Sequence, residues 1–437
     1  MKRNIILKAL VLTLSLSLFS PLNLASQAVN YTSKAIAAES LPEITAEAAI
    51  TMDLKTGEVI YCKEADSKRY PASTTKLLTG LLLAENKSKN DMLEFTKSAK
   101  MQPEYSLNIN YMKNSLKVGD KISADDIMKG LLLFSGNDTA YVIADNIAGD
   151  SKAFADLMNK KAKDLGANSS NFVTPNGLHD DNHYTTAYDL SLITKAAFAN
   201  DWERETMQLE KAPITLNNSR IILENRNLGL NKNGNIAGKT GITNQAGGCL
   251  AAVYERSGRQ LIGVVLKDKQ RDNADTTKFK DMDAIMDYSY AATKSKYKSN
   301  GESVGNADVQ YKAFMAFGPT KTISLPVKLS QDVSYYKNTI NDEDSKLNFK
   351  GTDLDAWDLL FKKDVKLTYS TRNYSEEVSG VVEVSVGDLL KANILVYIST
   401  IVVLAIIITL IALIKNMASN AKRKKSRYSN RGKRRRY

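Results

Sequence analysis

Two cysteines and two histidines among 437 residues deprive this chain of two common means of bracing or catalysis. Cys62 and Cys249 are too few for a disulfide framework in an exported chain of this length, and both are expected to stay unpaired. His179 and His183 bracket Asp180-Asp181-Asn182. Gly177 and the paired aspartates make that stretch a loop and not a helix face, so four convergent ligands are not expected, and neither metal nor cofactor is assigned. Charge is missing from the 22 residues between Asn393 and Ile414, which as helix reach about 33 Å and span a hydrocarbon core. Acidic residues are missing after it: Lys415, Lys422, Arg423, Lys424, Lys425, Arg427, Arg431, Lys433, Arg434, Arg435 and Arg436 stand without one.

That imbalance accounts for the charge of the whole chain. Of the formal +12, eleven charges lie in residues 415–437 and four at Lys2, Arg3, Lys8 and Lys34, which leaves −3 for the rest. A basic tail directly after an apolar span marks the cytoplasmic side and meets anionic lipid headgroups, so no nucleic acid is counted among the partners. At the other end Lys2-Arg3 precedes an apolar run, Ile5 to Phe19, that is short for a span. It reads as a secretory signal within residues 1–37, cleaved near Ala28 or Ala37, with an uncleaved anchor as the alternative. The expected arrangement is an exported body held at the cell membrane by residues 393–414, with residues 415–437 in the cytoplasm.

What the chain does contain is three polar motifs in order: Ser73-Thr74-Thr75-Lys76, Ser135-Gly136-Asn137 and Lys239-Thr240-Gly241. None suffices alone. A serine three residues before a lysine recurs at Ser295, Ser334 and Ser419, and Lys55-Thr56-Gly57 duplicates the third motif between two short strand-like runs, where it reads as a hairpin turn. The first motif has supporting context, since Pro71-Ala72 leads into Ser73 and the apolar run Leu77 to Leu83 follows. Ser73 then opens a helix with Lys76 on the same face, a nucleophile beside a candidate base, and the helix dipole favours negative charge at the serine oxygen. The second follows Ile127 to Phe134, which reads as buried helix, and places a hydroxyl and an amide at a break beside the core. The third starts a strand of an antiparallel meander running through Cys249–Tyr254 and Gln260–Leu266. It offers a cation and a hydroxyl for a carboxylate, plus the Ile242 N–H as an oxyanion donor beside that of Ser73. Together these are the parts of an acyl-transfer serine enzyme.

With these motifs and the flanking stretches Tyr70-Pro71-Ala72, Leu133-Phe134, Asp138-Thr139-Ala140, Thr174-Pro175-Asn176-Gly177-Leu178-His179 and Gly238, the chain resembles the low-molecular-mass penicillin-binding proteins that act as serine D-alanyl-D-alanine carboxypeptidases, from about Leu41 to Leu390. The resemblance implies an α+β penicillin-binding/β-lactamase-like transpeptidase fold: a five-stranded antiparallel sheet with a helical lobe, then a small all-β domain and a C-terminal transmembrane helix. It implies Ser73 as nucleophile, Lys76 as its base and Ser135 as proton shuttle; two ammonium groups lining one cleft disfavour each other's charge, so Lys239 is expected to help keep Lys76 unprotonated. Asn137, Lys239, Thr240 and Ile242 would bind substrate, and Arg271 matches the arginine expected near the substrate carboxylate. Peptidoglycan stem peptides are the implied substrates and β-lactams the implied inhibitors. The family's sheet order would place two strands between Cys62 and Cys249, too far for a bridge.

Length allows more than one core. A catalytic domain is expected over 38–293 and a membrane-proximal β-sandwich over 306–390, divided by the Lys/Ser/Gly/Asn-rich stretch 294–306. Three other readings remain: a D,D-endopeptidase, a β-lactamase and a non-catalytic peptidoglycan-binding protein. Gly136 in place of an aspartate, and the lack of any glutamate between residues 166 and 190, weigh against the β-lactamase. The full set of polar groups weighs against a passive module.

Overall fold

The structure is a computed structural model that describes residues 40–112, 116–217, 219–269 and 275–433. The expected signal segment, 1–37, and Arg271 lie outside the described residues. Five strands carry the site: β1 (Ala48–Asp53), β2 (Val59–Lys63), β3 (Asn235–Thr243), β4 (Gly247–Arg256) and β5 (Arg259–Asp268). All pair antiparallel, in the order β2-β1-β5-β4-β3. Lys55-Thr56-Gly57 is the turn between β1 and β2. Asp53 Oδ1 accepts from Lys55 N and Thr56 N at 3.1 and 3.0 Å, and Gly57 takes φ 79°, the side-chain-to-backbone turn that aspartate favours. Cys62 on β2 and Cys249 on β4 are separated by β1 and β5, and both are free.

Successive strand residues point to opposite faces, and both faces of this sheet are buried, which is why its strands read as near-continuous apolar runs. Ile50, Met52, Cys249, Ala251, Val253, Ile262 and Val264 join the larger core, while Ala49, Leu250, Ala252, Tyr254, Leu261 and Val265 join a second cluster with Met282, Ile285 and Met286. Besides a single turn at Lys97–Lys100, the helices up to residue 291 are, in chain order, α1 (Lys76–Asn86), α2 (Ala124–Lys129), α3 (Asn137–Ala148), α4 (Ser151–Asp164), α5 (Ala187–Ala199), α6 (Asp201–Met207) and α7 (Thr277–Ala291). The first six lie in the chain between β2 and β3. α7 packs so tightly on β5 that a Cβ on Gly263 would stand 2.3 Å from the Met286 methyl. The run Ile127–Phe134 is not one regular helix: α2 stops at Lys129, Gly130–Phe134 forms a π turn, and Ser135 ends it at φ 72°. Such turns are rare and gather at functional sites, and an apolar pattern does not distinguish them from α-helix.

The later region is all-β, with β6 (Ser303–Phe314), β7 (Phe317–Leu329), β8 (Lys346–Phe349), β9 (Asp364–Ser370) and β10 (Ser375–Val382) in one antiparallel sheet of order β6-β7-β10-β9-β8. The stretch 294–306 is built into this region. Ser295–Lys298 pairs with Val333–Tyr335, and Tyr297 packs on Tyr335 and on Tyr369 of β9. A two-stranded ladder against one sheet thus takes the place of the two full sheets of a sandwich. The region docks through a short helix, Thr339–Asp344, whose preceding Asn338 and own Asn341 donate from Nδ2 to Val59 O on β2 at 3.1 and 2.8 Å. The final helix, α8 (Val386–Lys433), begins inside the β core, where Leu389 is fully buried. It is long and apolar enough to cross a membrane.

Candidate active site

The nucleophile turn is built from local constraints. Ala72–Thr75 is a 3-10 turn leading directly into α1, with Ala72 at φ 48° in the left-handed region. In a 3-10 turn residues three apart eclipse, so Ser73 and Lys76 superpose: Lys76 Nζ stands 2.9 Å from Ser73 Oγ. Lys76 is fully buried, whereas Ser73 is only half-buried and open to a substrate. Lys76 Nζ also donates to Asn137 Oδ1 at 2.8 Å and to Asn176 O at 2.7 Å. With those two acceptors served, a neutral amine has its lone pair left for the serine proton.

Asn176 was not anticipated as a contributor, because a main-chain carbonyl carries no side-chain signature. The loop bringing it in depends on Gly177, at φ 78°, where a Cβ would stand 1.9 Å from Ala72 O. Pro175 O accepts from Thr79 Oγ1 at 2.6 Å, tying the loop to α1. His183 clamps its other side: Nδ1 accepts from Val173 N and Thr174 N at 3.1 and 3.2 Å, so Nε2 carries the proton and donates to Thr75 Oγ1 at 2.9 Å. Burial holds this imidazole neutral, down to about 4. Among the described residues no group of side chains suited to a metal ion occurs.

Ser135, left-handed at the end of the π turn, accepts from Lys239 Nζ at 2.9 Å, and Lys239 also donates to Thr240 O at 2.9 Å. Lys239 and Thr240 lie on the edge strand β3, and Gly241 lets that strand meet the nucleophile, since a Cβ there would stand 2.9 Å from Ser73 N. Ile242 follows, half-buried, opposite Gly248. The structure therefore brings Ser73, Lys76, Ser135, Asn137, Lys239 and Thr240 to one place with Ile242 adjoining. Asn137 Oδ1 accepts from Lys76 Nζ, which orients the amide and leaves its Nδ2 as the group that can donate to a substrate.

Burial, not repulsion by a second ammonium, is the main cause that lowers Lys76 from its usual value to about 7, with the Asp138 charge opposing. The expected effect of Lys239 on Lys76 is instead prominent in the other direction. Lys239 is held well below its usual value by burial first, then by Lys76, Arg226 and Lys278. Arg226 and Lys278 were missed because they fall in no motif, one on the chain before β3 and one on α7. Asp138, raised by burial to about 6, accepts from Ile109 N and Asn110 N at 3.1 and 2.8 Å and fixes the start of α3. A buried site of this kind, positive on one side and holding a near-neutral amine beside a hydroxyl, suits attack on a carbonyl next to a carboxylate.

A family model described as D-alanyl-D-alanine carboxypeptidase matches residues 34–270. The D-alanyl-D-alanine carboxypeptidase DacF of Bacillus subtilis (strain 168) is 30% identical over 375 residues, covering 83% of this chain and 91% of that protein. Among solved structures, the D-alanyl-D-alanine carboxypeptidase of Mycobacterium tuberculosis H37Rv aligns with TM-score 0.53 at 28% identity over 58% of this chain and 94% of its own. The Streptomyces K15 DD-transpeptidase aligns with TM-score 0.52 at 29% identity, over 58% of this chain and all of its own.

Proposed function

Because the chain belongs to the D-alanyl-D-alanine carboxypeptidase family and is a serine peptidase of penicillin-binding protein fold, we propose that it removes the terminal D-alanine from peptidoglycan stem pentapeptides through an acyl-enzyme. The observation that carries this reading is the buried Lys76 amine 2.9 Å from Ser73 Oγ. Neutral Lys76 takes the Ser73 proton, and the oxygen attacks the carbonyl of the penultimate D-alanine. The Ser73 and Ile242 N–H groups stabilise the oxyanion. Lys239 and Thr240 hold the terminal carboxylate, and the positive surroundings set by Arg226, Lys278 and, by family likeness, Arg271 favour that anion. Asn137 Nδ2 donates to the substrate amide. Ser135, whose Oγ accepts from Lys239 Nζ, relays the proton taken up by Lys76 to the leaving D-alanine nitrogen, the C–N bond breaks as the oxyanion collapses to the acyl-enzyme, and water then hydrolyses the ester. β-Lactams enter by the same attack and inhibit by leaving slowly.

α8 crosses the membrane from an exported body to a basic cytoplasmic tail. The division into a catalytic domain over 38–293 and a membrane-proximal β domain belongs to the same proposal.

The test uses the full chain in detergent with a pentapeptide ending in D-Ala-D-Ala and with a fluorescent penicillin. Ser73→Ala should lose D-alanine release by about a thousandfold or more and lose covalent labelling entirely. Unchanged release in that variant would remove Ser73 as nucleophile. Rapid turnover of the penicillin by the unmodified chain would instead favour a β-lactamase.

A further inference from the structure

At one end of the all-β region, large apolar side chains stand uncovered. The β6–β7 hairpin turns at Met315-Ala316, Phe314 and Phe317 stack with centroids 5.2 Å apart, and Met315 and Phe317 are 55% and 67% exposed. Trp357 Nε1 donates to Lys312 O at 2.8 Å, which ties to β6 the turn that carries the 84% exposed Phe361. Burying one such side chain is worth about 1.5–3 kcal/mol, so a group of them on a surface marks a place meant to be covered.

The first turns of α8 indicate what covers it. Asn393 is buried and Val396, Tyr397 and Thr400 are half-buried, the three-and-four spacing of a helix face applied to the β region. Tyr311 OH donates to Asn393 Oδ1 at 3.2 Å, Tyr397 OH donates to Ala313 O at 2.8 Å, and the Tyr397 ring lies 5.3 Å from that of Phe314. The hairpin therefore runs beside the helix past Ile394, where the uncharged, exposed apolar stretch begins. Tyr397 is three residues further on, about 4.5 Å deeper along the axis. Interfacial elements bury their apolar faces about 5–10 Å into the headgroup and acyl boundary, so the tip stands at that depth when α8 enters lipid at Ile394. Lys362, Lys363 and Lys391 are exposed nearby and suit anionic headgroups.

Resting on the reading of α8 as a membrane span, we propose that Met315, Phe317 and Phe361 insert into the leaflet that α8 enters, so that the β region is fixed to the bilayer at two points and cannot swing about a single helix. The test places the full chain in liposomes of mixed anionic and zwitterionic lipid, brominated near the top of the acyl chain. Bimane is attached at Phe317→Cys, Phe361→Cys, Leu404→Cys or Gln331→Cys in a Cys62→Ser background, Cys249 being buried. Gln331 is exposed at the far end of β7, and Leu404 lies within the span. The probes at 317, 361 and 404 should fall to about half or less of their emission in unbrominated lipid, with 331 unchanged. Quenching at 404 without quenching at 317 and 361 overturns the proposal and leaves the span intact. A blue shift at 317 insensitive to bromine would mean that a second copy of the chain covers the tip, and overturns it equally. Absence of quenching at 404 would overturn the span itself and the insertion with it.

Discussion

Lys76 sets how the site should respond to pH. Its amine is brought to about 7 by burial, so below neutrality the protonated form prevails and has no lone pair for Ser73. Acylation by a pentapeptide or a penicillin should fall about tenfold per pH unit on the acid side of that value and level off above it. Stopped-flow acylation rates from pH 5 to 9 would check this, and a flat profile would contradict Lys76 as the base. The same group leaves a signature on stability, with a definite sign. The unfolded chain keeps this proton up to the usual 10.5. Between about 7 and that value it therefore binds more protons than the folded chain does, and the Lys76 contribution to stability rises with pH across the window. Lys76→Arg should abolish acylation at every pH, because a guanidinium does not deprotonate in this range.

Among the elements, the loop through Asn176 does as much to build the site as the helix that bears the nucleophile. Gly177→Ala would drive a Cβ to within 1.9 Å of Ala72 O at a φ of 78°, and backbone cannot give way there as a flexible side chain would. We expect loss of about 3 kcal/mol or more of stability, seen as a lowered Tm, together with loss of penicillin labelling; a variant with full labelling and unchanged Tm would show that the loop is not held against the nucleophile turn. This element also marks the limit of what the amino-acid order conveys. Ser73, Lys76, Ser135, Lys239 and Thr240 were legible because the chemistry demands those side chains at those spacings, and the sheet because its strands read as short apolar runs divided by turns at Asx and glycine residues. Asn176 acts through its carbonyl, which any residue possesses. The π turn at Gly130–Phe134 has the same apolar pattern as a helix, and Arg226 and Lys278 approach Lys239 only through tertiary packing. Lys294–Asn306 looked like a linker by composition, yet Ser295–Lys298 is paired as strand because Tyr297 supplies an aromatic for the β core.

For the molecule as a whole, the two edges of the catalytic sheet have different fates. The β3 edge meets the nucleophile turn and is where an extended peptide can add as a further strand. At the β2 edge, carbonyls of Val59 and Ile60 are taken by Asn338 and Asn341, which covers an edge otherwise open to unwanted pairing. Arg372, between β9 and β10, strengthens the junction through Asp66 and Asp344, with Nη1 and Nε each 2.6 Å from a carboxylate oxygen. Asn341 is the most telling of these residues, being fully buried and donating to both Val59 O and Tyr336 O at 2.8 Å. Asn341→Leu keeps the volume close but removes two hydrogen bonds, leaving Val59 O and Tyr336 O only the 3.1 Å bonds from Asn338 Nδ2, at a cost of about 0.5–1.5 kcal/mol for each bond lost. The junction should then loosen before either core melts. Calorimetry of the detergent-solubilised chain should show one unfolding transition splitting into two, while penicillin acylation stays unchanged because Ser73 and Lys239 work at the opposite edge. A single transition merely shifted downward, or an acylation rate that falls with the junction, would mean that the β region supports the catalytic sheet through its core and not through this seam.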